Sequence, residues 1–228
     1  MPLVPRLRPD VHSLSRVTIP EVVAEYPAAS ADAWRAAQEP WAESEFTDYA
    51  VWGPYAGLAK DDRFWLPGKS GNAGYKFVEF HAAMLLGREG YECWGGVQLF
   101  DYEVLLDRKG KGPAKKNTEL VRSKARSWDW PSTIQRELSF TPKNPDVVAY
   151  LKTSREWAFV EVKKNDPCHD DQLKGLAVLH LLTGAPVGVV RMVVEGKPRK
   201  SKTHDVVLTF EKDAILEWVH PRFRQHER

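Results

Sequence analysis

The sequence predicts an α/β fold in which a central mixed sheet is flanked by helices. Residues 186–194 (PVGVVRMVV) are almost continuously apolar and β-branched, which is typical of a strand buried on both faces. Two shorter runs, 147–151 and 157–162, are separated by the polar tetrapeptide 152–155, the pattern of a β-hairpin. An amphipathic stretch at 171–183 lies between the hairpin and the buried run, so we expect a parallel crossover through a helix.

Composition narrows the classes to which the chain can belong. Its 228 residues, 43% of them hydrophobic, suffice for one sizeable core. Two cysteines, Cys93 and Cys168, exclude a disulfide scaffold and fit a reducing compartment. No apolar run reaches the ~20 residues of a membrane span, and prolines interrupt the N-terminus where a signal peptide would need its apolar core. We therefore expect a cytoplasmic protein without a membrane partner.

Residues 1–70 are predicted to form an extension, rich in tryptophan and proline, that packs on the core. Four tryptophans fall within it, and such side chains commonly fill a core or fasten an extension to it. The alternative is that they stack on bases, as aromatic residues do in single-strand binders. The same extension is the candidate surface for a homodimer or a protein partner. The four tryptophans are Trp34, Trp41, Trp52 and Trp65.

A helix is predicted over 75–88, where apolar residues recur at helical spacing and Glu79 lies off the apolar stripe. The next predicted element is a strand over 91–100. Towards the C-terminus, a strand is expected near 205–210 and a helix over 211–219. The helix at 75–88 and the strand at 91–100 precede the hairpin, and the helix at 171–183 and the strand at 186–194 follow it. The predicted order is therefore helix, strand, hairpin, helix, strand.

Residues 101–144 are predicted to be a basic insertion between the first strand and the hairpin. From Arg108 to Arg126 there are eight basic residues and one acidic residue, a local charge of +7 against +2 for the whole chain. A basic segment followed by Trp128 and Trp130 suits contact with a nucleic-acid backbone, although charge blocks are also common as solvated surface. The predicted nucleic-acid-binding residues are Lys109, Lys111, Lys115, Lys116, Arg122, Lys124 and Arg126.

The hairpin brings two carboxylates together if its turn closes symmetrically. Val148 then faces Phe159, and Asp146 faces Glu161, with Cβ atoms about 5 Å apart. Like charges at this spacing are unfavourable unless a cation lies between them. A hard divalent ion bound through oxygen atoms is the simplest such cation.

Lys163 shares a strand face with Glu161, because side chains alternate along a strand. Two acids and an ammonium on one patch suit phosphodiester hydrolysis, in which a bound metal acidifies a water and the lysine orients it or neutralises developing charge. The alternative is structural: Pro145-Asp146 simply opens a strand, and Glu161 and Lys163 form a solvated strand face.

Pro145-Asp146 followed by Glu161-Val162-Lys163 resembles the motif of the PD-(D/E)XK nuclease superfamily. The run continuing to Gln172 on the next helix is most similar to the VRR-NUC branch. The resemblance implies a restriction-endonuclease-like αβββαβ core over residues 71–194, with 101–144 as an insertion and 195–228 as a strand-helix addition. It also implies cleavage of nucleic acid that depends on Mg²⁺ or Mn²⁺.

Particular roles follow from the resemblance. It implies that Asp146, Glu161 and the main-chain carbonyl of Val162 bind the metal, and that Glu79 completes or supports the ligand set. Lys163 would position the attacking water, and Gln172 would order that water or the scissile phosphate.

The expected function is therefore a metal-dependent nuclease, with DNA favoured over RNA and with endonuclease activity on duplex or branched DNA. One alternative is an inactive nuclease fold that binds nucleic acid through the basic insertion. Another is a subunit that meets a protein partner through the tryptophan-rich extension.

Overall fold

The computed structural model of the protein describes residues 2–30, 77–100, 113–125, 138–210 and 218–223. In these residues a central mixed sheet of seven strands is flanked by α-helices, so the predicted α/β class is confirmed. The strands are β1 (Asp10–Ser13), β2 (Arg16–Tyr26), β3 (Glu92–Gly95), β4 (Val147–Leu151), β5 (Glu156–Lys163), β6 (Val187–Val194) and β7 (Lys202–Val207). The helices are α1 (Phe77–Arg88), α2 (Pro113–Lys124) and α3 (Asp170–Thr183), preceded by a short 3-10 turn at Val4–Arg6.

The sheet has the strand order β1-β2-β6-β5-β4-β3, and β7 also pairs with β2. Strands β2, β6 and β5 are parallel to one another, whereas the remaining pairs are antiparallel. The predicted hairpin is β4–β5, and its register joins Val148 to Phe159 as expected. The predicted crossover is confirmed too, since α3 connects the parallel strands β5 and β6.

Helices cover both faces of the sheet. α3 packs on one face through Leu173, Leu176 and Leu181, with Phe159 and Val189 among the strand residues beneath it. On the opposite face, α1 packs through a second cluster that includes Phe77, Phe80, Val160, Val162 and Met192. Consecutive residues of β5 therefore point to different helices, and Glu161 and Lys163 lie on the α3 face.

β2 is the main element that the sequence pattern did not predict. It occupies an interior position of the sheet although it contains Pro20 and Glu21. Proline cannot donate a ladder hydrogen bond, and it is tolerated here because the pairing with β6 begins one residue later, at Glu21. The parallel neighbour accommodates the proline closely, since a Cβ at Gly188 would lie 2.9 Å from the carbonyl oxygen of Pro20.

Two predicted strands begin or end at residues other than those expected. The first predicted strand, 91–100, is shortened to β3 because Gly96 takes a left-handed conformation (φ 64°) that turns the chain away. The strand expected near 205–210 begins earlier, as β7, and Phe210 forms an isolated bridge to Leu138. Within the basic insertion, α2 is a helix that sequence patterning did not predict.

Several predictions fall on residues outside those described. The four tryptophans of the N-terminal extension and most of the expected C-terminal helix (211–217) are among them. In the described part of the chain, no helix combines the length and the apolar character needed to cross a bilayer.

Candidate functional site

Asp146 and Glu161 meet at the open end of the hairpin. The last β4–β5 pair at this end is Val147 with Val160, so one further step brings Asp146 opposite Glu161. The two carboxyl groups lie within hydrogen-bonding reach of each other. Asp146 is also fixed to the sheet, because its Oδ2 accepts a hydrogen bond of 2.9 Å from the Val162 N–H. The structure therefore brings the two predicted acids together.

Val162 presents its backbone towards the same point. The Phe159 N–H donates to the Pro186 carbonyl on the β6 side, and alternate residues of a strand direct their backbone groups to opposite neighbours. The N–H and C=O of Val162 consequently face the β4 side, beyond the last β4–β5 pair. The main-chain carbonyl named in the sequence prediction thus lies beside the acid pair.

Glu161 is only 1% exposed and has two polar donors on the same oxygen. Its Oε1 is 2.7 Å from the ammonium of Lys163 and 2.5 Å from Nε2 of Gln172. The acid is therefore enclosed by an ammonium, an amide and a second carboxyl group. A buried carboxylate needs such partners, because an isolated charge removed from water is strongly destabilising.

Burial and the neighbouring charge of Asp146 raise the pKa of Glu161 to about 8, although the Lys163 ammonium opposes the shift. For Lys163, burial alone would lower the pKa, but the hydrogen bond to Glu161 and the surrounding acid charges raise it. Lys163 therefore remains an ammonium, and Glu161 carries a proton at neutral pH unless a cation replaces it.

Gln172 connects the acid pair to the start of α3. Its Oε1 accepts a hydrogen bond of 3.0 Å from the His169 N–H, and its Nε2 donates to Glu161. His169 is the N-cap residue, so the helix terminus itself orients the amide. The predicted approach of Gln172 to the site is observed.

The N-terminal end of α3 is held tightly against the entry to β4. The Lys143 N–H donates to the Asp171 carbonyl at 3.2 Å. One turn further along α3, Gly175 faces Lys143 so closely that a Cβ there would overlap the Lys143 carbonyl oxygen. This contact fixes the segment leading to Asp146 relative to the helix that carries Gln172.

A groove of about 410 Å³ lies between the start of α3 and the entry to β4, and Gln172, which contacts Glu161, forms part of its wall. Asn144 shapes it, because its Oδ1 accepts hydrogen bonds from the Leu99 and Phe100 N–H groups. Sequence reasoning missed Asn144, although its place two residues before Asp146 was an available signal. The groove residues are Gln98, Lys143, Asn144, His169, Asp171 and Gln172.

A buried ion pair supports the backbone that follows Lys163. Arg191 and Glu21 are each 1% exposed, and their side chains meet at 2.9 Å. Arg191 also donates to the carbonyls of Lys164 at 3.3 Å and Asp166 at 2.6 Å, while the Asp166 carboxylate lies 3.4 Å from the Lys163 ammonium. The sequence did not reveal this network, because its two halves are 170 residues apart.

Glu79 is placed differently from the other predicted site residues. It lies half-buried in the first turn of α1, which covers the opposite face of the sheet from Glu161. Its assignment to the metal ligand set stays a prediction.

The described part of the basic insertion packs on the sheet edge. Lys124 forms an ion pair of 3.1 Å with Glu92 and lies 5.5 Å above the Trp94 ring, so its charge is neutralised locally. Lys115 and Arg122 are half-buried on α2. The remaining predicted contacts, namely Lys109, Lys111, the side chain of Lys116 and Arg126, lie outside the described residues.

The donor set at the acid pair fits a hard divalent cation. Two carboxyl groups and a main-chain carbonyl are oxygen ligands of the kind that Mg²⁺ and Mn²⁺ prefer. Among the described residues, no group of three or more histidine, cysteine, aspartate or glutamate side chains is placed to hold a metal. A metal here would therefore need water or substrate to complete its coordination.

No known protein-family model matches the sequence, and no curated protein matches it either.

Proposed function

We propose that the protein is a Mg²⁺- or Mn²⁺-dependent nuclease with a restriction-endonuclease-like core, acting on duplex or branched DNA. The observation that carries the proposal is the convergence of two carboxyl groups, Asp146 and the buried Glu161, with the Lys163 ammonium 2.7 Å from Glu161. The order α1, β3, β4, β5, α3, β6 supports it, because it follows the αβββαβ pattern with α2 inserted.

Each residue of the site has its own role in the proposed cleavage reaction. Asp146, Glu161 and the Val162 carbonyl would hold the metal, which when bound polarises a phosphoryl oxygen and lowers the pKa of water. Lys163 stays protonated, so it supplies positive charge beside the reacting phosphate and a donor that orients the attacking water. Gln172, held by the α3 cap, fixes the orientation of Glu161 and exposes its own edge to the groove.

The function is tested by cleavage assays on single-stranded, duplex, flap and junction DNA and the matching RNAs, with Mg²⁺, Mn²⁺ or EDTA. We expect cleavage that needs metal and that falls by about a hundredfold or more in Asp146→Asn, Glu161→Gln and Lys163→Met. Asp205→Asn, an exposed acid, and Lys152→Met, an exposed lysine, are the matched controls and should retain activity. Full activity of purified Asp146→Asn would refute the assignment.

Metal binding gives a second readout that does not depend on turnover. Mn²⁺ should bind the wild type in calorimetric titration and raise its thermal midpoint, since a ligand that binds only the folded state stabilises it. Both effects should be lost in Asp146→Asn and kept in Asp205→Asn.

A second candidate function is an inactive nuclease fold that binds nucleic acid. It is favoured because, among the described residues, the site has two acidic side chains, Asp146 and Glu161, and no third side chain is placed with them to hold a metal. Binding of nucleic acid by a wild type that neither titrates with Mn²⁺ nor forms product would select this alternative.

A further inference from the structure

An open pocket of about 500 Å³ lies at the edge where β2, β5 and β6 end. These three strands are parallel, and ligands commonly bind outside the carboxyl ends of neighbouring parallel strands. The pocket has an apolar floor formed by Tyr26, Met192 and Val194, residues packed in the cluster beneath α1. It therefore lies on the other face of the sheet from the acid pair.

Three cations line this pocket, Lys164, Lys197 and Arg199. Within the described residues none of them takes part in an ion pair, and Lys164 is held 5.9 Å above the Tyr26 ring. Lys197 and Arg199 are exposed. Three positive charges that have no acidic partner among the described residues, placed around an apolar floor, favour an anion that also carries an apolar part.

The backbone links the pocket to the acid pair. Lys163 is the last residue of β5 and its side chain contacts Glu161, whereas Lys164, the next residue, lines the pocket on the other face of the sheet. Arg191 donates hydrogen bonds to the carbonyls of Lys164 and Asp166 and so fixes the backbone that follows Lys163. The groove beside Gln172 and the pocket beside Lys164 consequently flank the same sheet edge.

We propose that the pocket binds backbone phosphates of the nucleic-acid strand that flanks the bond to be cleaved, an inference that rests on the proposed nuclease function. A phosphodiester backbone has the required chemistry, because it presents repeated single negative charges joined by deoxyribose rings whose C–H faces are apolar. The strand passes over the end of β5 from the groove on the α3 face to the pocket on the α1 face.

Binding is measured in EDTA, by the fluorescence anisotropy of a labelled single-stranded DNA with the full chain over a series of salt concentrations. The triple variant Lys164→Gln, Lys197→Gln, Arg199→Gln should lose roughly ten- to a hundredfold in affinity, and its log–log salt slope should fall by about 2. The matched control is the triple variant Arg16→Gln, Lys152→Gln, Arg155→Gln. Arg16 begins β2, at the end of that strand opposite the pocket, and Lys152 and Arg155 lie in the β4–β5 turn, so this variant should bind as the wild type does.

Competition distinguishes a strand from a free phosphate compound. Unlabelled DNA should displace the labelled strand, whereas inorganic phosphate and a mononucleotide should compete only weakly. The proposal is overturned if the pocket variant binds DNA like the control variant, or if it loses only mononucleotide binding. Arg199→Gln alone, at an exposed position, should show part of the same loss and keeps the test valid if the triple variant does not fold.

Cleavage by the wild type separates this inference from the proposed function. If the wild type cleaves DNA and the pocket variant binds like the control, the pocket assignment fails and the nuclease assignment stands. If the pocket variant loses binding and the wild type forms no product with Mn²⁺, the phosphate pocket stands and the nuclease assignment fails.

Discussion

Two features of Glu161 both disfavour its ionised form: its carboxyl group is buried, and a second acid lies within hydrogen-bonding reach. Its pKa of about 8 reflects burial and the charge of Asp146, only partly offset by Lys163. Such an arrangement destabilises the folded chain unless a cation binds, which is typical of sites selected for chemistry rather than for stability.

Removing one acid should therefore stabilise the metal-free protein. In EDTA at pH 9, where Glu161 is ionised, we expect Asp146→Asn to raise the free energy of unfolding by about 1 kcal/mol, because the substitution removes a like charge. The gain should shrink towards pH 7, where Glu161 is protonated. Urea denaturation at both pH values measures it, and Asp205→Asn should change stability by less than about 0.5 kcal/mol. A loss of stability at pH 9 would contradict the assignment of the repulsion.

Arg191 acts at the residue scale through its neighbours rather than on any substrate. Burial by itself would raise the pKa of Glu21, but hydrogen bonds from Arg191 and His204 lower it to about 2, so the pair stays charged. The guanidinium also donates hydrogen bonds to the Lys164 and Asp166 carbonyls. It thereby determines where Lys163 and Lys164 sit.

At the scale of elements, the site depends on how α3 docks on the entry to β4. The helix begins at the residue after His169, and its first two turns carry both Gln172 and Gly175. Gln172 contacts Glu161, and Gly175, which has no side chain, leaves space for the Lys143 carbonyl. A single helix therefore sets the distance between the amide and the acid pair.

Gly175→Ala tests this docking. In an isolated helix alanine would be favoured by about 1 kcal/mol, but here its Cβ would overlap the Lys143 carbonyl. We expect a net loss of about 1–3 kcal/mol in urea denaturation, together with reduced cleavage, because the segment carrying Asp146 must shift. Lys174→Ala, which removes the partly exposed ion pair with Asp170 and the contact of the ammonium with the Phe140 ring, should lose about 1 kcal/mol or less and keep activity. Increased stability in Gly175→Ala would disprove the close contact.

At the scale of the whole molecule, three buried groups with large pKa shifts make the stability depend on pH between about pH 5 and pH 8. Burial, with the charge of Arg88, lowers the pKa of His81 to about 4. Burial likewise lowers the pKa of His180 to about 4, against a hydrogen bond with the Ala185 carbonyl. Glu161 shifts in the other direction, to about 8.

These shifts predict a maximum of stability near pH 6.5 in the metal-free protein. Between pH 6.5 and 8 the folded state holds the Glu161 proton that the unfolded chain has released, so stability falls as the pH rises. Below pH 6.5 the unfolded chain gains two histidine protons that the folded state excludes, which outweighs the one extra proton on Glu161, so stability falls as the pH drops towards 4. The slope below pH 6.5 reaches about 1.4 kcal/mol per pH unit, and the slope above it reaches about 0.8 kcal/mol per pH unit, because Glu161 already releases part of its proton there.

Urea denaturation in EDTA from pH 4.5 to 8 measures this profile. Glu161→Gln should flatten the limb above pH 6.5, and His81→Leu should flatten the limb below it. Stability that keeps rising from pH 6.5 to 8 in the wild type would contradict a protonated Glu161.

Much of the site could be predicted because its signal is local. The four turn residues 152–155 fix the register of β4 and β5, and the register in turn fixes which side chains share a face. The pairing of Asp146 with Glu161, and the position of Lys163 beside them, follow from counting along two adjacent strands. The helix of Gln172 was readable from its apolar period and its terminal glycine, Gly184.

What the sequence by itself determined is the α/β class, the hairpin and the α3 crossover, because hydrophobic period and turn residues act over a few positions. Only the tertiary structure decided the place of β2 inside the sheet, the burial of Glu21 against Arg191 and the meeting of Lys164 with Lys197 and Arg199 in one pocket. The physical reason is distance along the chain: such contacts form between segments whose own patterns are ambiguous, and burial against a partner outweighs local preference.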